Sequence, residues 1–361
     1  MRLPRRARGP KNNCNESPNN MLLNTCSYAR AGLLGNPSDG YYGKTIAFSI
    51  EDFPTTVTMY ESPEVQFLPG EVDDAVFANV EELVDEISHF GYYGGIRLMK
   101  ATTKVFVEYC REHNIDLAER NFTARYGSTI PRLVGLGGSS AICTAMFKAL
   151  MKFYEVDIPV EIIPTLCWQA ESRELGIHCG MQDRVIQVYE GLVYMDFDEE
   201  YFTANNHGRY TVLQRSVLPR TYLAYDPNRA EFSGVYHRRL RVLFEEKQSD
   251  IVAAMSEFAD IAQKGYEALM AGDHNVFAEL IDANFDLRNR VFNVAEENVR
   301  MVTQARQAGA SAKFAGSGGA IVGTFDSEQM FRKLCKRLKE INCAVLRPCI
   351  PAGRLEEVLE Q

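Results

Sequence analysis

The stretch Ile130-Pro131-Arg132-Leu133-Val134-Gly135-Leu136-Gly137-Gly138-Ser139-Ser140-Ala141 opens an apolar-periodic run that ends near Tyr154. Its glycines free the backbone to turn tightly around an anion, and two hydroxyls follow where a helix must begin. Backbone N–H groups left unpaired at a helix N-terminus, at the positive end of its dipole, hold phosphate without a lysine. A serine hydroxyl in the first turn can also bind the Mg²⁺ that accompanies a nucleotide. The same residues also read as an ordinary loop with a serine N-cap. The Walker A spacing G-x-x-x-x-G-K-[ST] is absent, and no G-x-G-x-x-G follows a clear strand, so this is neither a P-loop nor a dinucleotide fingerprint.

Around this stretch lie 361 residues, enough for a large core and two intimately packed domains. Apolar content of 46% and charged content of 24% exclude a fibre or a disordered chain. With 39 basic against 48 acidic side chains the net charge is −9, which argues against nucleic acid or anionic membrane as a main partner. An anionic substrate therefore needs a local basic pocket. No apolar run approaches the ~20 residues of a membrane-spanning helix, so a soluble protein is expected. Cysteines at 14, 26, 110, 143, 167, 179, 335, 343 and 349 form no C-x-x-C pair and fit reduced thiols in a cytoplasmic protein. Histidines are too scattered to make a metal cluster. Residues 1–22 begin basic, turn rich in Asn and Pro, and are expected to form a disordered tail. Their early arginines give a weak transit-peptide signal that no amphipathic helix supports.

Three further segments carry chemistry. Thr25 to Lys44 reads as a strand running into a loop broken by Gly35, Pro37 and Gly40, with Arg30, Asn36 and Asp39 placed to meet a ligand. A tight turn whose polar residues satisfy the local backbone is the alternative. Helical spacing from about 160 to 175 puts Glu171 and Glu174 on one face, ahead of Gly176, Gly180 and Asp183. A solvated acidic edge and a helix-capping Asp183 are the alternatives there. Ala312 to Gly323, with Gly316, Gly318 and Gly319, is a glycine turn between two strands that either approaches the site or closes a hairpin.

Periodicity supplies the rest. Strands are expected at about 45–60, broken at Pro54, and near 122–130, 192–197, 222–225 and 344–347. Helices are expected at 73–90, 100–113, 249–271, 273–292, 295–309 and 327–341. Gly91 to Arg97, with two tyrosines, could flank a nucleotide base or simply pack.

The glycine stretch resembles the second motif of the GHMP kinases, P-x-x-x-G-L-(G/S)-S-S-A, with Gly138 as one extra glycine. Thr25 to Lys44 is similar to the galactokinase run G-R-V-N-L-I-G-E-H-x-D, with Asn36 and Pro37 departing from its Glu-His pair. Gly176 to Arg184 resembles G-x-x-x-G-x-x-D-Q, Ser233 to Arg239 resembles S-x-E-Y-x-x-R-R, and Ala312 to Gly323 resembles the third GHMP motif. Within the superfamily, A-R-A-G-L-L-G-N-P-S-D-G, I-P-R-x-x-G-L-x-G-S-S-A-I and E-L-G-I-x-x-G-x-Q-D-R-V are nearest to glucuronokinases.

The resemblance implies a two-domain α+β fold. Residues 23–215 would form the ribosomal-protein-S5-like, ATP-binding domain, and 216–361 the ferredoxin-like C-terminal domain. It implies ATP and Mg²⁺, with Gly135, Leu136, Gly137, Gly138, Ser139, Ser140 and Ala141 on the phosphates and Ser140 and Glu171 on the metal. Asp183 would accept or orient the hydroxyl proton, and Arg30 would neutralise the transferring phosphoryl group. Asp39, Asn36, Tyr236 and Gly318 would contact the sugar. The implied reaction is phosphorylation of D-glucuronate at its anomeric hydroxyl, with Arg229, Arg184 and Arg97 as candidates for the substrate carboxylate. A kinase for galacturonate, galactose or a heptose phosphate is the alternative, as is a sensor that binds ATP and sugar without turnover. A decarboxylase of the same fold would want more cations near residues 36–44 than Lys44.

Overall fold

The computed structural model describes residues 22–69, 94–227, 240, 242–244, 246–292 and 294–354. The expected tail, the expected helix at 73–90, the Gly91 to Tyr93 turn, Arg229 and Tyr236 lie outside the described residues.

Two long strands, β1 (Leu22–Leu34) and β2 (Lys44–Ser62), pair antiparallel along most of their length. Pro54 does not break β2 as expected. It sits opposite Tyr28, where the register shifts before Ala29, and a bulge is where a sheet tolerates a residue without an N–H. Such length lets β2 serve two partners. After β3 (Gln66–Phe67) and α1 (Gly95–Glu112), β4 (Asn121–Ser128) pairs with the outer part of β2. The cradle helix α2 (Gly138–Tyr154) is followed by α3 (Ile163–Gln169), a π-helical turn at Ala170–Glu174, and α4 (Gln182–Tyr189). Then β5 (Leu192–Asp196) pairs with the inner part of β2, and α5 (Glu199–Asn205) leads to β6 (Arg209–Leu213) on the edge. The sheet order is β3-β4-β2-β5-β6, with β1 also on β2. Phe106 of α1, Phe122 of β4, and Phe147 and Phe153 of α2 are fully buried between this sheet and its helices.

A second sheet follows. β7 (Thr221–Tyr225) precedes three helices, α6 (Ser249–Ala271), α7 (His274–Val291) and α8 (Glu296–Ala308). The short β8 (Lys313–Phe314) turns through the glycine run into β9 (Ala320–Thr324), and α9 (Glu328–Lys339) and β10 (Ala344–Leu346) complete an antiparallel order β10-β7-β9-β8. The apolar stripe of α6 (Ile251, Met255, Phe258, Ile261) packs with Leu34, Ile46 and Phe48 of the first sheet in one continuous core. Gly265 lets α6 come against Leu34, where a Cβ would overlap the leucine methyl.

The closest seam between the two sheets is glycine on glycine. A Cβ at Gly316 would overlap the Gly135 carbonyl oxygen, and one at Gly135 would lie 2.9 Å from the Gly318 oxygen and 3.0 Å from Ser317 N. Backbone cannot move aside as a flexible side chain can. Gly316→Ala is therefore expected to lower the urea midpoint at unchanged slope, by about 1–3 kcal/mol. An unchanged midpoint would mean that the seam has room to spare.

Candidate active site

The helix α2 begins as its glycines dictate. Gly135 and Gly137 have φ of 72° and 77°, the left-handed region that glycine enters without a Cβ penalty, and Gly137 is the N-cap. The serine N-cap read as an alternative is not formed. Instead the Gly137 carbonyl accepts from Ser140 Oγ at 3.0 Å, from Gln187 Nε2 at 2.7 Å and from the Ala141 amide at 3.1 Å. That carbonyl is thereby turned inward. First-turn amides have no intrahelical partner, and Gly135, Leu136, Gly137, Gly138, Ser139 and Ser140 line one cleft. Ala141 does not, which corrects its expected place on the phosphates. Its side chain is fully buried, and its amide closes the first helical bond.

Opposite the helix start stands Arg30, on the inner half of β1. Its Nε donates to Asp183 Oδ1 at 2.6 Å and its Nη2 to Asp183 Oδ2 at 2.7 Å, a bidentate pair with side chains 7% and 19% exposed. Nη1 donates to the Gly135 carbonyl at 2.5 Å and to the Ala315 carbonyl at 3.4 Å. Asp183 lies in the first turn of α4, so it does more than cap that helix. A second carboxylate on the cleft is Asp39, whose Oδ2 accepts from the Gln182 amide at the start of α4, at 3.0 Å. Gly180 permits this approach, since a Cβ there would overlap the Asp39 carboxylate. Burial pushes the Asp39 carboxyl up to about 6, with the Gln182 amide pulling it down and Asp183 adding to the rise.

Glu171 occupies the π-helical turn, a local widening that often accompanies functional sites. It is 1% exposed, and its Oε2 accepts from Arg184 Nε at 2.8 Å and also from Arg184 Nη2. Burial raises the Glu171 carboxyl above its ordinary range, against the pull of Arg184. Glu174, three residues on, instead reaches outward to Lys104 Nζ at 2.6 Å. Arg184, considered for the substrate carboxylate, already has all three nitrogens engaged, since its Nη1 donates to the Gly180 carbonyl at 2.9 Å. Cys179, pushed up to about 12 by burial, is a packed thiol.

The third glycine run closes the cleft with Gly316 and Ser317. Gly318 lies behind them against Gly135 rather than on the cleft wall, which moves it from its expected sugar contact. Several residues that hold these loops have no motif of their own. Arg288 of α7 donates to the carbonyls of Gly316 and Ser317, each at 2.9 Å. The Gly35 amide donates to Asn284 Oδ1 at 2.7 Å, and the Gly319 amide to Asn298 Oδ1 at 3.2 Å. Lys313 is fully buried, and its Nζ meets Asn36 Oδ1, the Gly32 carbonyl and the Phe314 carbonyl at 2.6–2.7 Å. Only the alternation of α7 and α8, polar residues at otherwise buried positions, hinted at the two asparagines.

Arg30, Asn36, Asp39, Arg97, Ser140, Glu171 and Asp183 thus line one cleft, although they are spread over some 150 positions. Among the described residues no helix is long and apolar enough to cross a membrane, and no group of three or more His, Cys, Asp or Glu could hold a metal by itself. Mg²⁺ ordinarily takes one or two carboxylates together with phosphate oxygens and water. One hydroxyl and one carboxylate, Ser140 and Glu171, lining the same cleft as a glycine-rich helix start are a donor set of that kind.

Two family models match the chain, one described as GHMP kinases N terminal domain over residues 98–191 and one as GHMP kinases C terminal over residues 266–340. Glucuronokinase 1 of Arabidopsis thaliana is 42% identical over 302 residues, 82% of this chain and 83% of that protein. Probable glucuronokinase 2 of the same plant is 43% identical over 303 residues, 82% of each. The crystal structure of Lactococcus lactis galactokinase complexed with galactose has the same fold, with a TM-score of 0.73 at 14% identity, over 92% of this chain and 94% of that one. The chain therefore belongs to the GHMP kinase family, as an ATP-dependent sugar kinase.

Proposed function

We propose that the enzyme transfers the γ-phosphoryl group of ATP to the anomeric hydroxyl of D-glucuronate, giving glucuronate 1-phosphate and ADP. The observation that carries this reading is the Arg30–Asp183 pair, held at the start of α2 in a chain more than 40% identical to glucuronokinases. Phosphoryl transfer asks chiefly for positioning and for charge placed where charge develops.

Amides from Gly135 to Ser140 would hold the β- and γ-phosphates, and the Arg30 guanidinium would face the transferring group. Asp183 would orient the anomeric hydroxyl and take its proton, while Asp39 and Asn36 would hold the sugar. Ser140 Oγ and Glu171 would hold Mg²⁺. When bound, the metal would neutralise triphosphate charge. Ser140 would bind it through an oxygen lone pair and could still donate its O–H to the Gly137 carbonyl. Glu171 would present Oε1, since both Arg184 bonds fall on Oε2. Of the arginines considered for the substrate carboxylate, Arg97 lines the cleft and Arg184 is committed to Glu171. Residues 23–215 would carry the phosphate side of the cleft, and 216–361 would supply its closing wall.

A panel of sugars assayed by ADP release should favour glucuronate over galacturonate, galactose and a heptose phosphate. Preference for any of these would move the enzyme to that activity. Asp183→Asn should cut kcat by about 10²-fold or more. Wild-type turnover in that variant would remove Asp183 from the chemistry. Asp39 offers both oxygens as strong acceptors to sugar hydroxyls only when ionised; protonated, one oxygen becomes a donor and the contact weakens. With its carboxyl near 6, against 3.8 unperturbed, the sugar KM should rise as pH falls through about 6. Asp39→Asn should abolish that rise, and a wild-type KM flat from pH 5 to 8 would dismiss the contact.

A further inference from the structure

Lys313 is a buried cation that meets no carboxylate among the hydrogen bonds and ion pairs of the described residues. Its three partners at 2.6–2.7 Å are all neutral oxygens, two of them carbonyls and the third the Asn36 side chain. Burial, with Arg288 and Arg30 nearby, draws the Lys313 ammonium well below the ordinary lysine range. The geometry opposes that pull, because three oxygens at this distance require three N–H groups and a neutral amine has two. Isolated ammonium groups are costly to bury. A lysine kept here, with every N–H aimed at an oxygen, holds something in place.

What it holds is the orientation of Asn36. Carboxamide oxygen and nitrogen are ordinarily hard to tell apart, and their assignment follows from the partners. An ammonium donates and cannot accept. The Asn36 atom facing Lys313 is the oxygen, Oδ1 at 2.6 Å from Nζ, and the amide nitrogen lies on the other side. Asn36 lines the cleft, and its Nδ2 has no hydrogen-bond partner among the described residues, nor is it sealed from solvent. The site thus offers the substrate a fixed N–H donor at Asn36, beside the acceptor carboxylates of Asp39 and Asp183. Neutral sugar hydroxyls can be met by acceptors alone. A fixed donor, backed by the ammonium of Lys313 and the guanidinium of Arg30, suits a group that only accepts.

We propose that Lys313 is a positioning residue that locks the Asn36 carboxamide with its N–H₂ toward the cleft, and that Asn36 thereby donates to the carboxylate of a uronic acid. The inference rests on the sugar-acid reading above and adds the residues that select the acid.

The test is steady-state kinetics of the full-length enzyme with glucuronate and with glucose, at saturating and varied ATP, for wild type, Asn36→Asp and Lys313→Met. Asn36→Asp gives Lys313 a counter-charge, so the fold is kept, and it replaces the donor with a second acceptor. The expected result is a fall of at least about tenfold in the glucuronate-to-glucose ratio of kcat/KM, carried by the glucuronate KM, with the ATP KM unchanged. Lys313→Met frees the carboxamide to turn over and should raise the glucuronate KM in the same direction, again sparing ATP. A purely structural lysine would instead move both KM values and kcat together. If Lys313→Met does not fold, Asn36→Asp decides alone. Normal glucuronate turnover in the wild type with an unchanged ratio in Asn36→Asp overturns the role of Asn36. No glucuronate turnover in the wild type overturns the sugar-acid reading itself.

Discussion

One guanidinium ties the cleft together. Arg30 rises from β1, its side chain grips both oxygens of Asp183 on α4, and its remaining nitrogen bridges Gly135 of the phosphate stretch and Ala315 of the third glycine run. Its backbone joins in, with the Arg30 amide donating to the Leu136 carbonyl at 3.1 Å. Four segments far apart in sequence are thus referred to one planar group. Burying an ion pair this deeply is favourable only when the geometry is good and the remaining donors find partners, and removing one member typically costs about 3–5 kcal/mol. A lysine could not replace it, since the fork geometry is what reaches a carboxylate and two carbonyls at once.

That arrangement requires backbones to come closer than side chains permit. Gly135 and Gly316 meet without Cβ atoms, and Gly180 makes room for the Asp39 carboxylate. Loops so bare of side chains have little packing of their own to hold them, and α7 and α8 supply the hold through Asn284, Arg288 and Asn298. The second sheet and its helices are in this sense a brace for loops of the first. A chain of net charge −9 nevertheless gathers Arg30, Arg97, Arg132, Arg184 and Arg288 along one cleft. Against Asp39, Glu171 and Asp183 on the same walls this leaves a positive excess, and such an excess between low-dielectric walls can draw a triphosphate to a protein that is acidic overall.

Much of this was legible in the chain. The helix at 249–271 falls where its apolar spacing puts it, and the glycine stretch opens α2. Local pattern failed where tertiary packing decided. Pro54 reads as a break, yet a bulge opposite Tyr28 absorbs it because β2 is held by partners on both sides. The helix read through 160–175 widens into a π-turn at Ala170, which no spacing rule signals, and this separates fully buried Glu171 from half-buried Glu174, which turns out to Lys104. Arg184 looks like a free cation on paper, and only the fold reveals that Glu171 already holds it. Lys313 is the sharpest case. Two of its three partners come from residues 32 and 36, some 280 positions away, and the third is only the neighbouring carbonyl of Phe314, so no local pattern marks it.

The Arg30–Asp183 pair also constrains what Asp183 can do. Each carboxylate oxygen has two lone pairs, and on each oxygen one is taken by the guanidinium. What remains points away from Arg30, so a hydroxyl that meets Asp183 is aimed by the direction of those lone pairs as much as drawn by charge. In a loose transition state for phosphoryl transfer little negative charge is needed on the attacking oxygen, and alignment counts for more than basicity. An aspartate clamped at both oxygens by an arginine has a fixed orientation and so aims what it meets. The pair therefore suits an enzyme that works by holding an alcohol in line with a phosphorus, and in the proposed reaction the same arginine would face the charge that spreads over the group in transit.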